Sequence, residues 1–166
     1  MKLEFKRLSE ADPADLIALM NHPRVREHMP LTRENFGAED CRRFVEGKER
    51  LWAEHGFGPW AFYADGKFVG WGGLQPEQGE ADLALVLHPE AWGLGGPIVQ
   101  EVLRRAFEEF RFASVMVLFP PTRTRIRALF RLGFVRDGEV VVGGETFLRY
   151  RLYAPTGVSN NPRETS

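Results

Sequence analysis

The chain has 166 residues, 43% of them hydrophobic and 27% charged, with a net charge of −1. That is enough for one domain with a real core, and the near-neutral balance offers no basic surface for nucleic acid or an anionic membrane. A single cysteine, Cys41, excludes an intrachain disulfide and a cysteine metal cluster, and no apolar run approaches the ~20 residues of a membrane span. One cysteine also fits a reducing cytoplasm. Met1 to Leu8 alternates charged and apolar residues, unlike a signal peptide. At the other end, 154–166 is polar and rich in turn formers, which predicts a flexible tail behind a domain spanning 1–153.

Taken in order, Leu3, Phe5 and Leu8 predict a first strand. Asp12-Pro13 opens a helix, because aspartate caps an N-terminus and proline suits the first helical position. Leu16, Ile17, Leu19 and Met20 give that helix an apolar face, and Asn21-His22-Pro23 ends it. A second short helix is expected from Arg24 to Met29, stopped by Pro30, and a longer one from about Ala38 to Glu54. Trp60–Ala64 and Lys67–Leu74 read as strands, with Asp65-Gly66 between them a strong hairpin turn. Gln75–Gly79 reads as a turn. Ala81–Leu87 is almost continuously apolar after Asp82, as a central strand would be. A helix from Pro97 to about Phe110 and a strand over Ala113–Phe119 follow, and strand, helix, strand implies a right-handed parallel crossover. Thr122–Leu132 reads as a helix with Gly133 as its C-terminal glycine. Glu139–Val142 and Thr146–Tyr153 form a last hairpin around Gly143-Gly144. The result is an α/β chain with a mixed sheet, in the order β, two or three helices, βββ, α, β, α, ββ.

Trp92-Gly93-Leu94-Gly95-Gly96-Pro97 carries the chemistry. A glycine-rich connection that opens a helix gathers backbone N–H groups at the positive end of the helix dipole, which suits phosphate. A Rossmann turn is a poor match, because the spacing is not Gly-x-Gly-x-x-Gly and no βαβ unit opens the chain. Taken alone, Gly-x-Gly-Gly is a plain strand-to-helix connection. Glu80 and Asp82 begin the preceding strand, where a salt bridge or solvated charge is as natural as proton transfer. Strand alternation puts these two on one face and 81, 83, 85 and 87 on the other. Arg123, Arg127 and Arg131 share one helix face, best read as solvated. Cys41 reads as a buried small apolar residue.

The order of elements, with the glycine stretch after the fourth strand, resembles the GNAT superfamily of N-acetyltransferases over residues 1 to 153. Four segments carry the resemblance: Leu87-His-Pro-Glu-Ala-Trp-Gly-Leu-Gly95; Arg131-Leu-Gly-Phe134; Gly66-Lys-Phe-Val-Gly-Trp-Gly-Gly73; and the start, Arg7-Leu8, Asp15-Leu16 and Asn21-His-Pro-Arg-Val25. The start, with the tryptophan before Gly-x-Gly, is similar to the RimJ/RimL branch, which acetylates protein N-termini and small amines.

The resemblance implies acetyl-CoA as acyl-donor cosubstrate and an amine acceptor, with no nucleic-acid or membrane partner. A homodimer is compatible with it. It places the pyrophosphate at Trp92, Gly93, Leu94, Gly95, Gly96, Pro97 and Ile98, and the pantetheine arm along Leu85, Val86 and Leu87. An amide near Leu85 would polarise the thioester carbonyl. Thr122 and Arg125, at the start of the next helix, would border the cofactor, and Arg123 is an alternative phosphate contact. The amine must lose a proton before it attacks, and Asp82 or Glu80 would take it directly or through water.

The chain departs from the family pattern at two places. Pro97 has no N–H to donate, and Leu129 stands where the family commonly has a tyrosine that protonates the leaving thiolate. These departures keep a non-catalytic CoA-binding or protein-interaction module open as the alternative.

Overall fold

The computed structural model describes residues 1–27, 35–123 and 126–155. Among the described residues seven strands, β1 (Leu3–Lys6), β2 (Pro59–Ala64), β3 (Lys67–Glu77), β4 (Glu80–Leu87), β5 (Ser114–Phe119), β6 (Val135–Val142) and β7 (Glu145–Tyr153), form one mixed sheet in the order β1-β2-β3-β4-β5-β7-β6. The chain divides into two compact units, one of residues 1–76 and 84–102, the other of 77–83 and 103–166.

The first unit begins with β1 (Leu3–Lys6), α1 (Pro13–Asn21), α2 (Pro23–Arg26) and α3 (Ala38–His55). Local chemistry sets these boundaries. Asp12 caps α1 by accepting the N–H of Ala14 at 2.9 Å, and Pro13 takes the first helical position. His22 ends α1 and caps α2, its Nδ1 accepting the N–H of Arg24 at 3.2 Å. Leu8 lies beyond β1, in a 3-10 turn, and is fully buried there. The expected end of α2 at Met29-Pro30 lies outside the described residues.

Next come β2 (Pro59–Ala64) and β3 (Lys67–Glu77). Asp65 and Gly66 both take positive φ, 50° and 81°, the type I′ geometry their sequence predicts. β3 runs three residues past Leu74. The expected broad turn shrinks to Gln78-Gly79, again with two positive φ values, 52° and 82°. Leu8, Leu16, Leu19, Met20, Val25, Cys41, Ala61 and Trp71 form the core of this unit. α1 contributes Leu16, Leu19 and Met20, neighbours at helical spacing. Trp71 donates its indole N–H to the Met20 sulfur at 3.4 Å. Cys41 is buried, and burial pushes its thiol pKa up, away from the reactive thiolate.

The second unit holds the first half of β4 (Glu80–Leu87), the end of α4 (Gly95–Arg104), β5 (Ser114–Phe119), α5 (Arg127–Leu132), β6 (Val135–Val142) and β7 (Glu145–Tyr153). β4 and β5 are parallel, with Asp82 opposite Met116. β5 pairs antiparallel with β7, and β7 with β6. Ala81, Leu83, Val115, Met116, Val117, Phe134 and Tyr150 are buried here.

Three expectations change in this unit. α4 begins at Gly95 rather than Pro97 and closes in a π-helical turn over Arg105–Glu109. α5 begins at Arg127, not Thr122, because Pro120 to Arg123 forms a turn in which Arg123 donates its N–H to the Pro120 carbonyl at 3.0 Å. Arg123 is therefore not on the helix face shared by Arg127 and Arg131. β6 begins at Val135 and shifts register between Arg136 and Glu139, where Gly138 has φ 82°; the sequence reading began this strand only after that bulge. Gly133 ends α5 in the left-handed region, φ 103°, as expected. Among the described residues, no helix is long and apolar enough to cross a membrane.

Candidate functional site

The second half of β4, Ala84–Leu87, lies against β3 at two glycines. A Cβ on Gly70 would stand 2.3 Å from the Val86 carbonyl oxygen, and one on Gly72 would stand 2.3 Å from that of Ala84. No side chain fits at either distance, so Phe68-Val-Gly-Trp-Gly72 needs its glycines for close approach of two backbones. Positions 70 and 72 meet 86 and 84 two for two, so alternation along β4 carries through this stretch without a bulge. Leu87 is buried while Leu85 and Val86 are half-buried, and Val86 packs against the core of the first unit.

Past Leu87 the strand is tied into a turn. His88 donates its N–H to the Val69 carbonyl at 2.9 Å, and its Nδ1 accepts the N–H of Glu90 at 3.1 Å. Pro89–Leu94 forms a 3-10 turn, and α4 follows directly at Gly95. Trp92 donates its indole N–H to the Leu87 carbonyl at 3.0 Å, so the tryptophan before Gly-x-Gly fastens the end of β4. The sequence reading expected an open glycine loop. The structure corrects this: Trp92, Gly93 and Leu94 finish a helical turn, and Gly95, Gly96 and Pro97 open α4.

The glycines of this stretch are not there for the backbone's own sake. Gly95 sits at φ −56°, ψ −43°, a conformation any residue adopts, and neither Gly93 nor Gly96 has positive φ. A Cβ on Gly93 or Gly96 would meet nothing within 4 Å, and one on Gly95 would meet only the Leu87 Cδ1 at 4.0 Å. Bare backbone at the start of a helix therefore opens onto free space, as close approach of an anionic group requires. The donors available are fewer than the number of positions suggests. The Gly95 N–H is already given to the Trp92 carbonyl, and Pro97 has none. Ile98 is fully buried and anchors the helix.

α2 meets this turn inside the same unit. The His22 and His88 rings stand edge to face, centroids 5.1 Å apart, and the Arg24 guanidinium lies 4.6 Å from the centre of the exposed Trp92 ring. The sequence reading tied His22 and His88 to nothing and gave Arg24 no role. Helical periodicity joins residues three or four apart, and no local signal links positions 24 and 92.

In the second unit Glu80 is an ion-pair partner. Arg151, nearly buried, grips both Glu80 oxygens, gives Nε to Asp137 Oδ2 at 2.7 Å, and reaches the Ser114 hydroxyl at 2.9 Å. Arg149 adds a contact to Asp137 at 3.1 Å. The register shift after Arg136 places Asp137 in this cluster. Arg151 holds the Glu80 carboxyl below the ordinary range against the opposing effect of desolvation, with Arg149 adding to it, and it holds Asp137 down likewise. A carboxylate so held is a poor proton acceptor near neutrality. Asp82 is half-buried opposite Met116. Thr122 is exposed in the turn before α5, and Arg125 lies outside the described residues. Arg123 is exposed and stacks 4.2 Å over the Phe119 ring.

The acetyltransferase (GNAT) domain matches residues 2–135. No curated protein matches the chain in sequence. Among solved structures, aminoglycoside acetyltransferase AAC(6')-Ib in complex with coenzyme A is similar at TM-score 0.74 and 16% identity, covering 98% of both chains. A spermidine N-acetyltransferase chimera from Vibrio cholerae and hSSAT is similar at TM-score 0.69 and 14% identity, covering 97% of this chain and 100% of that one. An acetyltransferase from Agrobacterium tumefaciens is similar at TM-score 0.70 and 19% identity, covering 91% and 90%. AAC(6')-Ib is also similar in its complex with coenzyme A and kanamycin, at TM-score 0.73 and 16% identity over 98% of each chain. With the family matched over most of the chain and the fold similar to that of solved acetyltransferases, the chain belongs to the acetyltransferase (GNAT) domain family.

Proposed function

We propose that the chain transfers an acetyl group from acetyl-CoA to a primary amine. The observation that carries the reading is the bare backbone of Gly93, Gly95 and Gly96, where neither strain nor crowding within the chain calls for glycine. Family membership supports acetyl transfer, and the aminoglycoside and spermidine enzymes support an amine as acceptor. The RimJ/RimL-like reading rests on Asn21-His-Pro-Arg-Val25 and Trp92. It is supported by the packing of His22 and Arg24 on His88 and Trp92. An acetyl-CoA reaction and a single buried thiol are compatible with the cytoplasm.

When bound, acetyl-CoA supplies an activated acyl group as its thioester. The first turn of α4 would hold its phosphates, and Leu85, Val86 and Leu87 would line its arm. The backbone N–H near Leu85 would steady negative charge on the reacting carbonyl oxygen. Asp82 or Glu80 would take the amine proton, and the grip of Arg151 on both Glu80 oxygens weighs against Glu80. The carboxylate would act directly or through water. Leu129 has no proton to give a departing sulfur, and solvent would provide it.

The test is free-thiol release with acetyl-CoA and a panel containing spermidine, an aminoglycoside and N-terminal peptides. The expected result is release that depends on at least one amine. No release with any acceptor would leave the second reading, a non-catalytic CoA-binding module, which Leu129 favours.

A further inference from the structure

We infer that Arg24 is a positioning residue for the acyl-donor turn, acting through Trp92. The inference rests on the reading of that turn given above. Trp92 does two things at once. Its indole N–H holds the Leu87 carbonyl at 3.0 Å, and its carbonyl takes the Gly95 N–H that begins α4. Trp92 therefore touches both the end of β4, through its side chain, and the first turn of α4, through its backbone. Yet Trp92 is 41% exposed and lies on a short 3-10 turn, an element with poor hydrogen-bond geometry of its own. One residue of α2 lies over its ring. The Arg24 guanidinium lies 4.6 Å from the centre of its ring, and a cation over an indole face is the strongest pairing of this type.

Arg24 is suited to this. Among the described residues no carboxylate pairs with it, so its charge is not drawn away from the ring. Its own backbone is pinned, since its N–H is given to the His22 ring that caps α2, and that ring stands against His88. Val25, next along, is buried in the core. The side chain thus leaves a fixed point and ends on Trp92. Residues of the N-terminal helices, which do not belong to the glycine stretch, would in this way set how tightly that stretch closes on a donor.

The test uses Arg24→Gln, Arg24→Lys and wild type. An exposed cation–π contact is worth ~0.5–1 kcal/mol, which is about a two- to fivefold change in an equilibrium constant. Arg24→Gln should raise the dissociation constant for CoA, and KM for acetyl-CoA, about threefold, with kcat unchanged and the thermal midpoint lowered by no more than about 4 °C. Arg24→Lys should recover part of this. Trp60 and Trp71 are buried and Trp52 is half-buried, so acrylamide quenching weights the more exposed Trp92; it should increase in Arg24→Gln and less in Arg24→Lys, with the constant contribution of Trp52 removed by repeating the comparison in a Trp52→Phe background. If wild type binds CoA and Arg24→Gln binds it equally well, this inference alone is overturned. If wild type binds no CoA, the reading of the turn fails and this inference with it.

Discussion

Replacing Arg151 with methionine should cost more stability than any other single charge removed from the described surface. Arg151 has a side chain 10% exposed and holds two carboxylates that are each about one-third exposed, Glu80 at 36% and Asp137 at 33%. Methionine fills much of the same volume but leaves both acids without the guanidinium. Breaking a buried ion pair costs ~3–5 kcal/mol. Water still reaches these two acids and screens the pair, so the cost falls at or below the bottom of that range, about 2–3 kcal/mol. For a chain of this length ~1 kcal/mol moves the midpoint by about 2–4 °C, giving a fall of roughly 5–10 °C near pH 7. The sign with pH follows from the depressed carboxyls. Glu80 and Asp137 are held below their ordinary values in the folded protein. The stability they contribute is therefore fully present above the unfolded values, near pH 4, and is lost as pH falls through the folded ones. Thermal unfolding followed by circular dichroism from pH 7.5 down to pH 3.5 should show the gap between wild type and Arg151→Met closing on acidification. A gap under 1 °C at neutral pH, or one that widens with acid, would refute the reasoning.

Gly72→Ala should destabilise by about 3 kcal/mol or more, because its Cβ would meet the Ala84 carbonyl at 2.3 Å. Gly47→Ala, inside α3 with nothing within 4 Å, should instead stabilise by ~0.5–1 kcal/mol, and thermal melts of the pair separate close approach from general loss of glycine. Asp82→Asn should lower kcat at least tenfold with KM for acetyl-CoA unchanged, while Glu80→Gln should act mainly on stability; a change under twofold in kcat removes Asp82 from the reaction. Pro97→Ala should change CoA affinity less than threefold by calorimetry, because α4 already runs from Gly95 and an N–H at 97 would face the carbonyls of Gly93 and Leu94.

Local signals were legible in the sequence where local chemistry decides the outcome. Asp12-Pro13, Asp65-Gly66, Gly133 and Gly143-Gly144 are caps and turns whose geometry depends on a few adjacent residues, and each stands as read. Element order and the parallel β4–β5 pair followed from the apolar runs between these marks. Boundaries failed where a neighbour in space decided. β3 extends past Leu74, and α5 loses its first turn to Pro120-Pro121. At the site, the glycine positions were legible and the backbone conformation was not, because Gly93, Gly95 and Gly96 take ordinary helical geometry and leave room for a ligand. Glu80 was open between base and ion pair; the answer depended on Arg151 and Asp137, which lie 71 residues and 57 residues away in sequence and meet it only through the β5–β7–β6 pairing. Arg24 on Trp92 was beyond any periodicity, for the same reason.

The central claim is that the first turn of α4 receives the phosphates of acetyl-CoA. Calorimetric titration of acetyl-CoA into wild type and Gly95→Glu tests it most directly. A Cβ at Gly95 meets only Leu87 Cδ1 at 4.0 Å, and a carboxylate in the first turn of a helix is favourable, so the variant should fold as well as wild type. It would also put a negative charge where the phosphates belong. The account predicts saturable one-to-one binding by wild type and none by Gly95→Glu, with the thermal midpoint kept. No binding by wild type, or equal binding by both, would contradict it.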